Sequence, residues 1–212
     1  MFHSNLKPNI HRVVVLKETR ADEKRVALTP AEVAKLTAKK MTVIVEKNAG
    51  ALAGFKDEAY VAAGATIQEI SRESKIPSHS LILRVKRADS ERESWENKIY
   101  TLPCYMMGFL DPYYQNTDHI KAWAEKGMAT FSVELLDVPK KDPRNVFDRM
   151  SQIAGRIAMD VAIKEREQSF HDAKKVATTP NVAIIGPGSA GIAAAERAQE
   201  YKPVSYTHLT LP

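Results

Sequence analysis

Val182-Ala183-Ile184-Ile185-Gly186-Pro187-Gly188-Ser189-Ala190-Gly191-Ile192-Ala193-Ala194-Ala195-Glu196-Arg197-Ala198 is the stretch whose reading decides the fold class. A short β-branched run reads as a buried strand, and the alanine-rich run after it as a helix. Between them stands G-x-G-x-x-G. Gly186 makes the tight turn, Gly188 admits a phosphate close to the backbone, and Gly191 lets helix and strand pack closely. The helix N-terminus adds unpaired N–H groups and the positive end of a dipole. In this strand–turn–helix setting the motif predicts a dinucleotide pyrophosphate site at Gly186, Gly188, Ser189, Ala190 and Gly191. An acidic residue for the ribose hydroxyl is expected about 20 residues on, at the end of a following strand. Residues 204–212, VSYTHLTLP, contain no acid. The reading expects no second strand there and leaves both NAD and NADP open.

The same strand–turn–helix rhythm runs upstream. Val13-Val14-Val15-Leu16, Met41 to Val45, Ser80 to Val85 and Met128 to Leu135 read as strands. Ile99 to Met107 is less regular, and Pro103 limits it to an edge or a bend. Thr29-Pro30-Ala31-Glu32 predicts a capping box with proline at the first helical position. Val33 and Leu36 share one face of that helix. Asp57 is expected to cap a short helix that Gly64 ends, and Thr117 to start one that Gly127 stops. Alternating strands and helices imply a mostly parallel sheet with right-handed crossovers, so residues 11–136 form one α/β domain.

Residues 137–180 then read as a Pro-rich linker and a long crossing helix, Asn145 to about Phe170. Its apolar stripe is Val146, Met150, Ile153, Ile157 and Val161. Ala154-Gly155 on that helix would let another backbone approach closely. Residues 181–203 are the first βα unit of a second domain. The uncharged stretch 204–212 reads as a non-native tail resembling translated sequencing adapter, with the chain a fragment of a longer protein.

Composition narrows the class. The chain has 212 residues, 44% hydrophobic and 27% charged, with 31 Lys+Arg against 26 Asp+Glu. That excludes collagen-like and largely disordered chains. The +5 charge and pI near 9.2 are compatible with anionic ligands, but the basic residues are interspersed and lack aromatic interleaving, so no nucleic-acid partner is expected. The single cysteine, Cys104, reads as a small buried hydrophobe. His79 and His119 read as solvated. No apolar run reaches the roughly 18–20 residues of a membrane helix, and the N-terminus lacks a signal-like apolar region, so a cytoplasmic protein is expected. No metal site is expected.

Several stretches together resemble the alanine dehydrogenase/pyridine nucleotide transhydrogenase family. They are Leu16-Lys17-Glu18-Thr19-Arg20, Arg25-Val26-Ala27-Leu28-Thr29-Pro30, Gly50 to Gly54, Asp57-Glu58-Ala59-Tyr60, Ala63-Gly64-Ala65, Leu83-Arg84-Val85-Lys86, Met150 to Arg156 and the glycine turn. The resemblance implies a Rossmann-like N-terminal domain followed by the start of an NAD-binding Rossmann domain. In the alanine dehydrogenase branch it implies that Arg25 grips the carboxylate of a small 2-oxo acid and Lys86 polarises its carbonyl. Either residue could equally be a surface ion-pair partner. That branch places a proton-carrying His in a Leu-His-Leu context, where this chain has Gly108-Phe109-Leu110-Asp111-Pro112. Asp111 is therefore the candidate acid/base, or simply a turn residue.

In the transhydrogenase branch hydride passes directly between two nicotinamides and no such His is needed. The Arg-, Gln- and Asp-rich loop of that branch is replaced here by Lys140, Lys141, Asp142, Arg144 and Asn145. The reading that follows is a nicotinamide-dependent oxidoreductase resembling the NAD(H)-binding α subunit of proton-translocating transhydrogenase. Its membrane partners would be the other transhydrogenase subunits, at the face of the inner membrane. The alternatives are an alanine- or saccharopine-type dehydrogenase and a binding relative that has lost catalysis. A homo-oligomer is expected of the full-length protein, and no activity of the fragment alone.

Overall fold

The computed structural model describes residues 9–113, 118–140, 142–173 and 181–201, and residues 205–209 by their backbone. The chain divides into two compact units, Met1–Leu135 and Leu136–Pro212.

In the first unit β1 (Arg12–Val15), β2 (Thr42–Glu46), β3 (Thr66–Gln68), β4 (Ser80–Lys86), β5 (Tyr105–Phe109) and β6 (Ala129–Ser132) form one sheet in the order β3-β2-β1-β4-β5-β6. Every pairing is parallel. Successive residues of β1 point to opposite faces. Val14 and Leu16 join Ile82, Met106, Leu110 and Trp123 on one side. Val13 and Val15 join Val33, Val43, Val45 and Tyr60 on the other. A strand buried on both faces cannot alternate apolar with polar, which is why β1 reads as an unbroken apolar run. The chain begins mid-sheet, winds to one edge, and returns to the other. The direction reverses between β1 and β4, and in such sheets ligands bind in the crevice beyond the C-terminal strand ends at that point.

The helices are α1 (Pro30–Ala38), α2 (Asp57–Ala62), α3 (Ser90–Glu96) and α4 (Asp118–Glu125). Thr29 caps α1, its hydroxyl accepting the Glu32 N–H at 3.4 Å. The box is only half made, because the Glu32 carboxylate takes Lys35 at 2.8 Å. Asp57 does not cap α2. Lys56 holds that position, and the Asp57 carboxylate accepts the Asn48 N–H at 2.9 Å, closing the loop before the helix. The start of α4 at Thr117 lies outside the described residues. β5 is an interior strand, since Pro103 falls before its first residue. Cys104 is buried and its thiol donates to the Thr101 carbonyl at 2.9 Å.

In the second unit α5 (Val146–Asp172) begins at Asn145, whose side chain accepts the Asp148 N–H at 2.9 Å. β7 (Asn181–Ile185) leads through the glycine turn into α6 (Ser189–Glu200). The residues facing α6 are not the apolar stripe of α5. Arg156 pairs with Glu200 at 2.7 Å, and Asp160 with Arg197 Nε at 2.5 Å and the Tyr201 hydroxyl at 2.6 Å. Met159 and Ile163 pack with Ile184, Ala195 and Ala198. Ile153, Ile157 and Val161 stay 59%, 55% and 52% exposed. The stripe is a correct sign of a helix, but the face α6 covers is small and polar.

The expectation of no second strand is overturned. β8 (Ser205–Leu209) pairs parallel with β7, Val182 opposite Tyr206 and Ile184 opposite His208. Tyr, Thr and Leu suit a strand, and the edge of β7 offers free backbone groups to pair.

Candidate functional site

The first cluster lies at the crevice between β1 and β4. Three residues past β1, the Glu18 carboxylate accepts the Val85 N–H at 2.7 Å and the Lys86 N–H at 3.1 Å. It ties the loop after β1 to the end of β4. Glu18 is 6% exposed, and burial pushes its carboxyl above the usual range against the pull of those amides and of Arg84.

Lys86, the last residue of β4, is half-buried. Arg25 comes from the loop that Glu18 anchors. Its guanidinium is held by Glu23, Nε to Oε1 at 2.7 Å and Nη2 to Oε2 at 2.6 Å. The Glu23 carboxyl lies below its usual range, first through that hydrogen bond and further through the charges of Arg25 and Lys86. Arg25 and Lys86 therefore both act on one carboxylate.

Asp111 follows β5 at the same end of the sheet. It pairs with Arg20, from the same loop as Arg25, at 2.7 Å. Its own N–H donates to Glu134 at 2.9 Å. Asp111 sits at φ +53, a left-handed conformation that Asp tolerates better than most residues. His119, expected in solvent, is buried. Its Nε2 donates to the Leu110 carbonyl at 3.0 Å, and its ring meets Trp123 edge-on at 5.1 Å.

Beneath the crevice runs an ionic network. Glu46 grips Arg92 with both oxygens at 2.8 Å, and Glu96 takes Arg92 Nε at 2.7 Å and Arg84 at 2.7 and 2.9 Å. Glu46 also accepts the Lys17 N–H at 2.8 Å. All four side chains are at most 10% exposed. A cleft of about 680 Å³ opens above Glu46 and Arg92, lined also by Lys17, Arg20 and Glu23.

The second cluster is the glycine turn. Gly186 has φ +105, which favours glycine. A Cβ on Gly191 would overlap the Gly186 carbonyl oxygen, and one on Gly155 would overlap the Ala190 carbonyl oxygen. The close approach expected at Gly155 is made by α6. Gly188 caps α6 without a side chain, and the space around it is open. The first-turn amides at Ser189, Ala190 and Gly191 have no intrahelical partner. This is a backbone cradle of the right chemistry for a pyrophosphate. The Ser189 hydroxyl is turned away from it and donates to Asp148 on α5.

Sequence reasoning does not single out Glu18, Glu23, Glu134 or Asp148 as site residues. Glu18 and Glu23 lie beside the quoted motif residues, whereas nothing local marks Asp148. Among the described residues no group of three or more His, Cys, Asp or Glu is placed to hold a metal, and no helix is long and apolar enough to cross a membrane.

The family model described as alanine dehydrogenase/PNT, N-terminal domain, matches residues 14–154. An NAD(P) transhydrogenase subunit alpha chain of Rickettsia prowazekii (strain Madrid E) is 31% identical over 192 residues, covering 86% of this chain and 48% of that protein. Alanine dehydrogenase of Bacillus subtilis (strain 168) is 30% identical over 190 residues, covering 87% and 48%. The chain thus spans about half the length of these relatives. The crystal structure of transhydrogenase from Sinorhizobium meliloti superposes with a TM-score of 0.75 at 25% identity, covering 94% of this chain and 56% of that one. An L-alanine dehydrogenase structure gives 0.70 at 20% identity, covering 93% and 60%, a likeness of fold.

Proposed function

Because the chain belongs to the alanine dehydrogenase/pyridine nucleotide transhydrogenase family, we propose that it is the first half of a nicotinamide-dependent oxidoreductase of the transhydrogenase type. In this reading the glycine turn holds NAD(H), and hydride passes directly to NADP. The observation that carries it is the Glu23–Arg25 pair. The cation that would grip a substrate carboxylate already holds an internal one. Asp111, at the position of the proton carrier, is likewise paired with Arg20. A site whose cations and acid/base group are satisfied by one another asks for no small organic substrate.

The dinucleotide, when bound, supplies or accepts the hydride. The chain's own role is to offer it backbone N–H groups at Ser189, Ala190 and Gly191, and to hold the turn on α5. The partners that go with this reading are membrane transhydrogenase subunits and a second copy of the full-length protein, at the cytoplasmic face of the membrane.

Lys86 favours a second reading, an alanine-type dehydrogenase. Its ammonium has no hydrogen-bond partner among the described residues, and it stands at the strand end where a carbonyl would need polarising. One comparison on the full-length protein separates the two. Reduction of an NADP analogue by NADH, without response to pyruvate and ammonia, supports the first. Ammonia-dependent reduction of pyruvate, lost in Lys86→Ala, overturns it in favour of the second.

A further inference from the structure

We propose that Asp148 is the positioning residue of the glycine turn: its carboxylate fixes Ser189, so that a pyrophosphate meets backbone N–H groups alone. This rests on the reading of the turn as a dinucleotide site.

Asp148 lies in the first turn of α5 and is 4% exposed. A buried carboxylate persists only when its oxygens are hydrogen-bonded. One oxygen accepts the Ser189 hydroxyl and the other accepts Gln152 Nε2 at 2.7 Å. Its backbone is fixed as well. Asn145 accepts the Asp148 N–H and donates to the Val138 carbonyl at 3.1 Å. Ser189 is the first residue of α6, directly after a capping glycine that has no side chain to steer the turn. Without Asp148 the hydroxyl would be free to cap its own helix, as serine at a helix start does, and would take up the amides that the anion needs. With Asp148 in place the hydroxyl is committed to α5 and those amides stay open. A cleft of about 410 Å³ lies here, lined by Asp148, Gln152, Ser189, Ile192 and Glu196.

The arrangement differs from a generic buried pair in one respect. The acceptor must be an oxygen at the Asp148 position, but its charge is not required. Asp148→Asn keeps that oxygen, and Asp148→Ala removes it.

The test uses the full-length protein, with NADH as probe. Two quantities are measured, the NADH dissociation constant by fluorescence and amide hydrogen exchange at residues 186–192 without ligand. Asp148→Ala and Ser189→Ala are each expected to weaken NADH about tenfold, the worth of one hydrogen bond to a charged group. The double variant is expected to be no weaker than either single one, because both remove the same contact. Asp148→Asn is expected to bind like the parent and to keep slow exchange, where Asp148→Ala exchanges faster. Additive losses, or an Asn variant as impaired as the Ala variant, overturn the proposal. If the parent binds no NADH yet exchange rises in Asp148→Ala and not in Asp148→Asn, the clamp stands and the dinucleotide reading falls. If the parent binds NADH and every variant matches it in both measurements, the clamp falls and the reading stands.

Discussion

Glu23 fills the guanidinium fork of Arg25 with both carboxylate oxygens, at 2.7 and 2.6 Å, although the two residues are only two positions apart. A planar fork of N–H donors matches one carboxylate at a time. Any incoming carboxylate must therefore displace Glu23. Glu23→Gln in the full-length protein is expected to strengthen pyruvate binding about tenfold, and Glu23→Gln with Arg25→Ala to lose that gain. Calorimetric titration checks it, and equal affinity in parent and Glu23→Gln would show that the two carboxylates do not compete.

The same pair sets a pH dependence. Glu23 is held below its ordinary value of 4.5 in the folded chain. Its contribution to stability is full above that value and is lost as pH falls through the lower, folded one. Denaturant unfolding between about pH 3 and 5 is expected to show a steeper acid loss in the parent than in Glu23→Gln. Glu18 runs the other way. Its folded value is raised, so it favours the folded state at low pH and withdraws that support as pH rises. An unchanged slope in Glu23→Gln contradicts this assignment.

Gly188 and Gly191 lie three residues apart and should fail differently. Gly188 has φ −71 and open space around it, so Gly188→Ala should leave thermal stability unchanged while its methyl fills the approach of a pyrophosphate. Gly191→Ala drives a methyl into the Gly186 carbonyl and should cost about 1–3 kcal/mol. Melting curves and NADH titrations of both variants decide. Loss of stability in Gly188→Ala, or binding retained in it, counts against the cradle.

Arg92 serves two buried carboxylates, Glu46 and Glu96. Arg92→Ala leaves both short of a cation and is expected to cost about 3–5 kcal/mol. Arg92→Lys should recover only some of it, because an ammonium cannot hold the fork that Glu46 accepts. Urea unfolding reads this directly, and a loss within experimental scatter would mean that the network contributes little.

Asp111→Asn keeps a residue that tolerates φ +53 and removes the charge paired with Arg20. That pair is about one-third exposed. Stability should change by less than about 1 kcal/mol. If Asp111 carries the proton of an amino-acid dehydrogenase, the Asn variant of the full-length enzyme loses pyruvate turnover at unchanged NADH affinity. Full turnover in that variant removes Asp111 from the chemistry.

The elements legible in the sequence are those with a local signal. The β1 run, Thr29-Pro30, the Asn145 start of α5, Gly155 and the glycine turn each carry their reason within a few residues. The elements it hides draw their order from elsewhere. α3, Ser-Glu-Arg-Glu-Ser-Trp-Glu, has no apolar stripe, and Arg92 and Glu96 anchor it to β2 and β4 through charges far apart in sequence. β3 has three residues and gains order only by pairing with β2. His119 reads as a surface residue, and its burial follows from Trp123 one turn on and the Leu110 carbonyl. At the crevice, Arg25 and Lys86 are readable as residue types. That Glu23 stands between their charges depends on the loop conformation, which Glu18 sets by binding a strand 67 residues away.

Asp148 and Gly155 stand seven residues apart on α5, close to two helical turns and about 10 Å along one face. One reaches Ser189 by a side chain, and the other touches Ala190 backbone to backbone. Two fixed points on a rigid rod determine both axial position and rotation. The start of α6 is therefore indexed to α5 as a key to its keyway. A one-residue insertion between the two points would turn them about 100° out of phase. It would leave every side chain of the glycine motif intact and still disengage the turn.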